Sequence, residues 1–176
     1  MKKNKLKEIA FYFCSIRSQI TKEEINGAIN NSEFIKKLNS LTRNGKISPP
    51  PNFAILFIDL NGLRKINPNY SHQVDCETLK AIAKRIQAGL RELDLVARFG
   101  GDKFAIYLNE AVNLHSAYTI INRLRIYAER PTYISETGLT DVGASIGIAV
   151  SPIDGTNFEE LLRIAYQRMQ RRKIIN

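Results

Sequence analysis

The chain has 176 residues, 44% of them apolar and 24% charged, with 26 Lys and Arg against 17 Asp and Glu and a formal net charge of +9. That length suits one compact domain with a short appendage, and no apolar run approaches the roughly 18 to 20 residues of a membrane span, since the stretch from Ile9 breaks at Arg17. The positive excess favours an anionic partner (nucleotide phosphate, nucleic acid or an acidic membrane surface), with a solvated basic face as the plainer alternative.

Lys2, Lys3, Lys5 and Lys7 precede an apolar stretch too short for a signal peptide and without a small-residue cleavage site. Cys14 and Cys76 stand far apart with no His or Cys at metal-ligand spacing, so neither a disulfide framework nor a zinc site is expected, and a reducing cytoplasm fits. The aromatic residues fall in apolar periodic segments and do not alternate with Lys and Arg. A stacking platform for single-stranded nucleic acid is therefore not indicated.

In chain order, Lys5 to Arg17 has helical apolar spacing, and Thr21 to Glu24 reads as a capping box that starts a second helix. Asn30 to Arg43 continues the pattern with Phe34, Ile35, Leu38 and Leu41 on one stripe. Asn44-Gly45 and the triple proline before Asn52 mark a connection. Phe53 to Asp59 reads as a fully buried strand that ends on a carboxylate. Glu77 to Leu90 is an amphipathic helix, and strands near Leu93 to Phe99 and Phe104 to Leu108 flank Gly100-Gly101 as a hairpin. Asn109 to Glu129 reads as a helix, Gly143 to Ser151 as a second buried strand, and Asn157 to Arg172 as a basic closing helix capped by Asn157. The expected architecture is an α/β sandwich, helices packed on a mainly antiparallel central sheet. Residues 1–20 are expected to form a helical appendage and residues 21–176 the domain.

Two carboxylates occupy special places: Asp59 at the end of the buried strand, and Asp102 directly after the Gly-Gly turn. If the strands are neighbours, both meet at one end of the sheet, where hard divalent cations that bridge phosphates find oxygen ligands; strand-end and turn aspartates that only face solvent are the plainer alternative.

The segment Arg98-Phe-Gly-Gly-Asp-Lys-Phe104 resembles the Arg-x-Gly-Gly-Asp/Glu-Glu-Phe signature of diguanylate-cyclase (GGDEF) domains, which condense two GTP into cyclic di-GMP. Ile25-Asn-Gly-Ala-Ile-Asn30 is similar to the opening Leu-Thr-Gly-Leu-x-Asn, and Asp59-Leu-Asn-Gly-Leu-Arg-Lys-Ile-Asn67 to Asp-x-Asp-x-Phe-Lys-x-x-Asn. Tyr70-Ser-His72 stands where the family has Tyr-Gly-His, and Ser145-Ile-Gly-Ile-Ala149 resembles its last strand. The resemblance implies a nucleotide-cyclase-like, polymerase-palm-like fold. It implies Mg2+ held by Asp59, Asp102 and the Leu60 carbonyl, Asn67 on guanine, and Lys173 on the triphosphate. Gly100 and Gly101 would allow a tight turn and close approach of the nucleotide. Two GTP-loaded domains would meet face to face, so a homodimer or a pairing with another such domain is implied.

The match breaks at four places. Lys103 replaces the fourth signature residue, normally glutamate; Asn61 replaces the second aspartate of the metal strand; Cys76 falls where an aspartate recognises guanine; and the arginine expected four residues after Lys173 falls beyond Asn176. A thiol cannot accept two purine N–H bonds, so Asp75, one residue earlier, could serve only with a shifted loop; Arg171 or Arg172 could stand in for the arginine. By contrast Arg91-Glu-Leu-Asp94 lies where the family carries its inhibitory Arg-x-x-Asp site, with Arg123 or Arg125 as a further phosphate contact; a helix-end ion pair is the plainer alternative. The reading is a degenerate cyclase domain that binds cyclic di-GMP with little or no catalysis. A weakly active cyclase and a nucleotide-free scaffold are the alternatives.

Overall fold

A computed structural model describes residues 28–43, 52–62, 72–110, 114–134, 138–140 and 142–175. The helix expected over Lys5 to Arg17, the capping box at Thr21 and the boundary at residue 20 lie outside them.

The core is a five-stranded sheet in the order β1-β3-β4-β2-β7, where β1 is Ile29–Asn30, β2 Ala54–Asn61, β3 Leu95–Arg98, β4 Lys103–Leu108 and β7 Gly143–Val150. β2 lies between β4 and β7, antiparallel to both, and β3 is antiparallel to β4. This central place explains why Ala54 through Leu60 are all buried: both faces of the strand are covered, so apolar residues run on without alternation. Only β1 runs parallel to its neighbour, β3.

Alternate side chains feed two layers. Leu56, Ile58, Ile106 and Ile146 pack with Ile82 and Ile86 of α2 (His72–Ala88) and with Ile121 and Leu124 of α3 (Leu114–Glu129). On the opposite face Ile55, Phe57 and Tyr107 pack with Phe34 and Leu38 of α1 (Asn31–Arg43) and with Leu161 and Ala165 of α4 (Phe158–Ile175). The helix starts are capped as their sequences imply: Asn30 Oδ1 accepts from Glu33 N at 2.8 Å, and Asn157 Oδ1 from Glu159 N at 2.8 Å. Gly147 lets α4 settle on β7, for a Cβ there would lie 2.1 Å from the Ala165 carbonyl oxygen and 2.2 Å from Met169 N.

The free edge of β7 is covered by side chains. Arg168 and Arg172 donate to the carbonyls of Ile148 and Ile146, while Glu129 and Asp154 accept from Ala144 N and Val150 N. Strand edges left bare invite pairing with another chain, and this one is occupied.

The structure departs from the sequence reading at element ends. β1 and a small hairpin, β5 (Thr132–Ile134) with β6 (Gly138–Thr140), were not anticipated, being two- and three-residue strands too short to show a period. α2 starts at His72 instead of Glu77, β3 begins at Leu95, and α3 begins at Leu114. Glu110, with φ of 54°, turns the chain after β4, so the helix expected from Asn109 cannot start there.

Candidate functional site

Antiparallel pairing brings the end of β2 to the beginning of β4, and the expected meeting of the two aspartates occurs there. Asp59 is in register with Lys103, and Leu60 N donates to the Asp102 carbonyl at 3.0 Å. The turn between β3 and β4 is closed by Lys103 N donating to Gly100 O and Phe99 N to Lys103 O, with φ of 97° at Gly100 and 56° at Gly101. Those angles suit glycine, and a Cβ at either position would meet nothing within 4 Å, so the turn is open to solvent.

Asp59 is fully buried and Asp102 is partly exposed. Two ammoniums hold them. Lys173 Nζ, from the end of α4, donates to Asp59 Oδ2 at 2.8 Å. Lys103 Nζ donates to Asp102 Oδ1 at 3.0 Å and lies 3.9 Å from Asp59 Oδ2. Asp59 Oδ1 and Asn61 Oδ1 are buried with no hydrogen-bond partner among the described residues, although Asn61 Nδ2 donates to Ser145 Oγ at 2.8 Å.

At the open end of the same hairpin, Asp94 is 6% exposed, and its carboxylate is held by main chain. Oδ2 accepts from Arg91 N at 2.8 Å and Oδ1 from Asn109 N at 2.9 Å, while Asp94 N returns a bond to Arg91 O. The Arg91 side chain is exposed and is not paired among the described residues. Arg123 donates to the carbonyl of nearby Gly89 at 2.8 Å. Arg125 instead lines a groove of about 420 Å³ beside the β7 edge, together with Tyr118, Asn122, Ser145, Ile146 and Arg172.

A family profile described as "Diguanylate cyclase, GGDEF domain" matches residues 25–175, nearly the whole chain. The chain belongs to the GGDEF family. Among curated GGDEF relatives, the chain is 30% identical over 164 residues to the cyclic di-GMP phosphodiesterase NbdA of Pseudomonas aeruginosa, covering 91% of this chain and 20% of that protein. It is 28% identical over 145 residues to the response regulator PleD of Caulobacter vibrioides, covering 81% of this chain and 32% of PleD. The chain thus spans a fifth to a third of the length of these relatives. A solved GGDEF domain of TpbB from Pseudomonas aeruginosa superposes with a TM-score of 0.78 at 29% identity, covering 89% of this chain and 90% of that one. The GGDEF domain of DgcB from Caulobacter crescentus, solved in complex with cyclic di-GMP, shares the fold with a TM-score of 0.73 at 16% identity, over 90% and 92% of the two chains.

GGDEF cyclases generally use a divalent metal, and the residues at this corner do not fit one as they stand. Buried Asp59 Oδ1 is the feature a cation would satisfy. Against it, the Lys103 ammonium already lies against both carboxylates. A divalent ion about 4 Å from that ammonium would be repelled by about 8 kcal/mol at an effective dielectric of about 20. The charges also close without it: Asp59 and Asp102 face Lys103 and Lys173. With the family's usual glutamate at residue 103, three carboxylates would face one lysine, and a dication would be needed.

Asp59, Leu60, Gly100, Gly101, Asp102 and Lys173 are thus brought together, and Arg91 and Asp94 form a second cluster. Asn67 and the side chains of Asp75 and Cys76 lie outside the described residues. Of the two arginines named as stand-ins, Arg172 is engaged at the β7 edge and Arg171 is exposed. The cation bridge itself was missed by sequence reasoning.

Proposed function

We propose that this GGDEF domain, in the cytoplasm, binds cyclic di-GMP at the Arg91 turn and makes little or no cyclic di-GMP itself. The observation that carries the catalytic half is the Lys103 ammonium lying against both carboxylates that the family resemblance assigns to the metal, where it lacks a metal's capacity to draw negative charge from the transferring phosphoryl group as a Lewis acid. Mg2+, the metal implied for a working cyclase, has no suitable set of ligands here while Lys103 holds both carboxylates.

The receptor half rests on an exposed guanidinium mounted on a rigid turn. Arg91 is pre-organised because its own backbone is tied to Asp94 in both directions. A planar fork of donors can then take a phosphate and a guanine edge together without first paying to order the turn. Asp94 uses one lone pair on each oxygen for main chain, and a carboxylate has roughly four such positions, leaving acceptor capacity toward guanine N–H groups. Arg123, at Gly89, adds positive charge to the same corner. In this reading the Gly100-Gly101 corner takes GTP, to which Asn67 and Asp75 contribute as the family resemblance implies, and a second copy or an intact cyclase is the protein partner.

Calorimetric titration with cyclic di-GMP tests the proposal. Binding is expected, weakened about tenfold or more by Arg91→Ala, and GTP with magnesium should yield no cyclic di-GMP. No heat with cyclic di-GMP, or equal affinity in the Arg91→Ala protein, removes the receptor reading; efficient product formation removes the other half.

A further inference from the structure

We infer that Lys103 is a built-in cation, its ammonium taking the place of a divalent ion between Asp59 and Asp102, so that this corner binds the phosphates of a nucleoside triphosphate without divalent metal. The inference rests on assigning the Gly-Gly corner to nucleotide, as above, and is independent of the Arg91 turn.

Three observations converge. First, position: Lys103 is directly opposite Asp59 in the β2–β4 ladder, and its Nζ reaches 3.0 Å from Asp102 Oδ1 and 3.9 Å from Asp59 Oδ2. One tethered charge therefore spans two strands, as a bound ion would. Second, balance: two ammoniums meet two carboxylates, and a dication added to the set would leave it doubly positive. Third, spare capacity. The Lys103 side chain is 20% exposed and the Lys173 side chain 42% exposed, so each head stands at the mouth of the corner. An ammonium has three N–H donors, and neither lysine spends all of them on carboxylates. Phosphate oxygens arriving over the open Gly100-Gly101 turn would meet donors on both sides.

The amides of Leu60 and Lys103 are committed to Asp102 O and Gly100 O. The buried, unpaired Asp59 Oδ1 is within the range of movement of Lys103, whose Nζ lies 3.9 Å from Oδ2 of the same carboxylate on a flexible stem.

Two titrations of the purified chain test this. In the first, Mn2+ alone is followed by electron paramagnetic resonance. The protein should show no saturable site, and Lys103→Glu should gain one. In the second, GTP is titrated in EDTA and in excess Mg2+. The two affinities should agree within about threefold, whereas Lys103→Glu should bind about tenfold or more weakly in EDTA than in Mg2+. Lys103→Gln, which keeps the shape and adds no like charge, should weaken GTP binding in EDTA without creating a Mn2+ site. Saturable Mn2+ binding by the unaltered chain, loss of its GTP binding in EDTA, or no GTP binding under either condition overturns the inference. Cyclic di-GMP binding measured on the same sample reports separately on the Arg91 turn.

Discussion

The β3–β4 hairpin has carboxylates at each end, Asp94 at one and Asp59 with Asp102 at the other, and the two ends are held by different kinds of partner. At the open end, Asp94 accepts from the backbone amides of Arg91 and Asn109. At the Gly-Gly end, Asp59 and Asp102 are held by the lysine heads of residues 103 and 173. A carboxylate bound by main chain cannot be released without opening a turn, so Asp94 holds its turn together whether or not its remaining lone pairs also meet a ligand. A carboxylate bound by ammoniums on flexible stems can exchange those partners for a ligand, so Asp59 and Asp102 are available to the proposed site without opening a turn.

The largest effect should come from removing both ammoniums. Lys103→Met with Lys173→Met strands the Asp59 charge at 0% exposure, and an uncompensated buried charge costs about 3 to 5 kcal/mol. Denaturant melts should show that loss, and millimolar Mg2+ should recover much of it, because the ion then has carboxylates without competitors. A variant as stable as the parent, or one indifferent to Mg2+, breaks the comparison at this end.

Next in size is Asp94→Ala, which leaves two amides without their acceptor. Both bonds are part-buried, so each unpaired amide costs about 1 to 2 kcal/mol, the lower part of the range for buried groups, and a loss of about 2 to 4 kcal/mol with a drop of about 5 to 15 °C in Tm is expected. Mg2+ should restore nothing here. Asp102→Ala is the control, since its ion pair is partly exposed and such pairs contribute about 1 kcal/mol or less. Equal melting losses for Asp94→Ala and Asp102→Ala would show that the distinction between main-chain and side-chain partners has no energetic weight.

How much of this was legible in the sequence follows from the range of the signals. The unbroken apolar run before Asp59 and the Gly-Gly pair before Asp102 are local, and together they located both strand ends and the meeting of two carboxylates. The GGDEF resemblance marked Lys103 as a misplaced cation. That Lys103 and Lys173 would divide the two aspartates between them depends on register across β2 and β4 and on where α4 ends, which no local pattern encodes. Asp94 was read as a ligand contact in an Arg-x-x-Asp motif. An aspartate beside a turn commonly accepts main-chain amides, and this turn chemistry anchors the same residue in the fold. β1 escaped notice because two residues carry no period, and its parallel pairing comes from the place of α1 on the sheet.

The smallest expected effect concerns a neighbour of Asp94. Tyr107 is buried, its hydroxyl donating to Asn109 Oδ1 at 3.1 Å, and its phenol is pushed up from 10.0 to about 12, first by burial and then by the negative charges of Asp94 and Glu110. The sign follows from linkage: between pH 10 and about 12 the unfolded chain releases this proton while the folded one retains it. Stability from keeping Tyr107 neutral is therefore complete below pH 10 and is lost as pH rises through that window. Against Tyr107→Phe, which lacks the proton, the parent should lose about 1 to 3 kcal/mol more over the window, on top of a constant difference of about 1 kcal/mol for the missing hydrogen bond. Parallel stability curves would contradict the assignment. Asp94→Asn carries the comparison through: with only the Glu110 charge left opposing the phenolate, the upper limit of the window should fall, although burial still holds it above the ordinary tyrosine value. Asp102→Asn, at the other end of the hairpin, should leave that limit where it is, because Asp102 is not among the groups that raise the Tyr107 phenol.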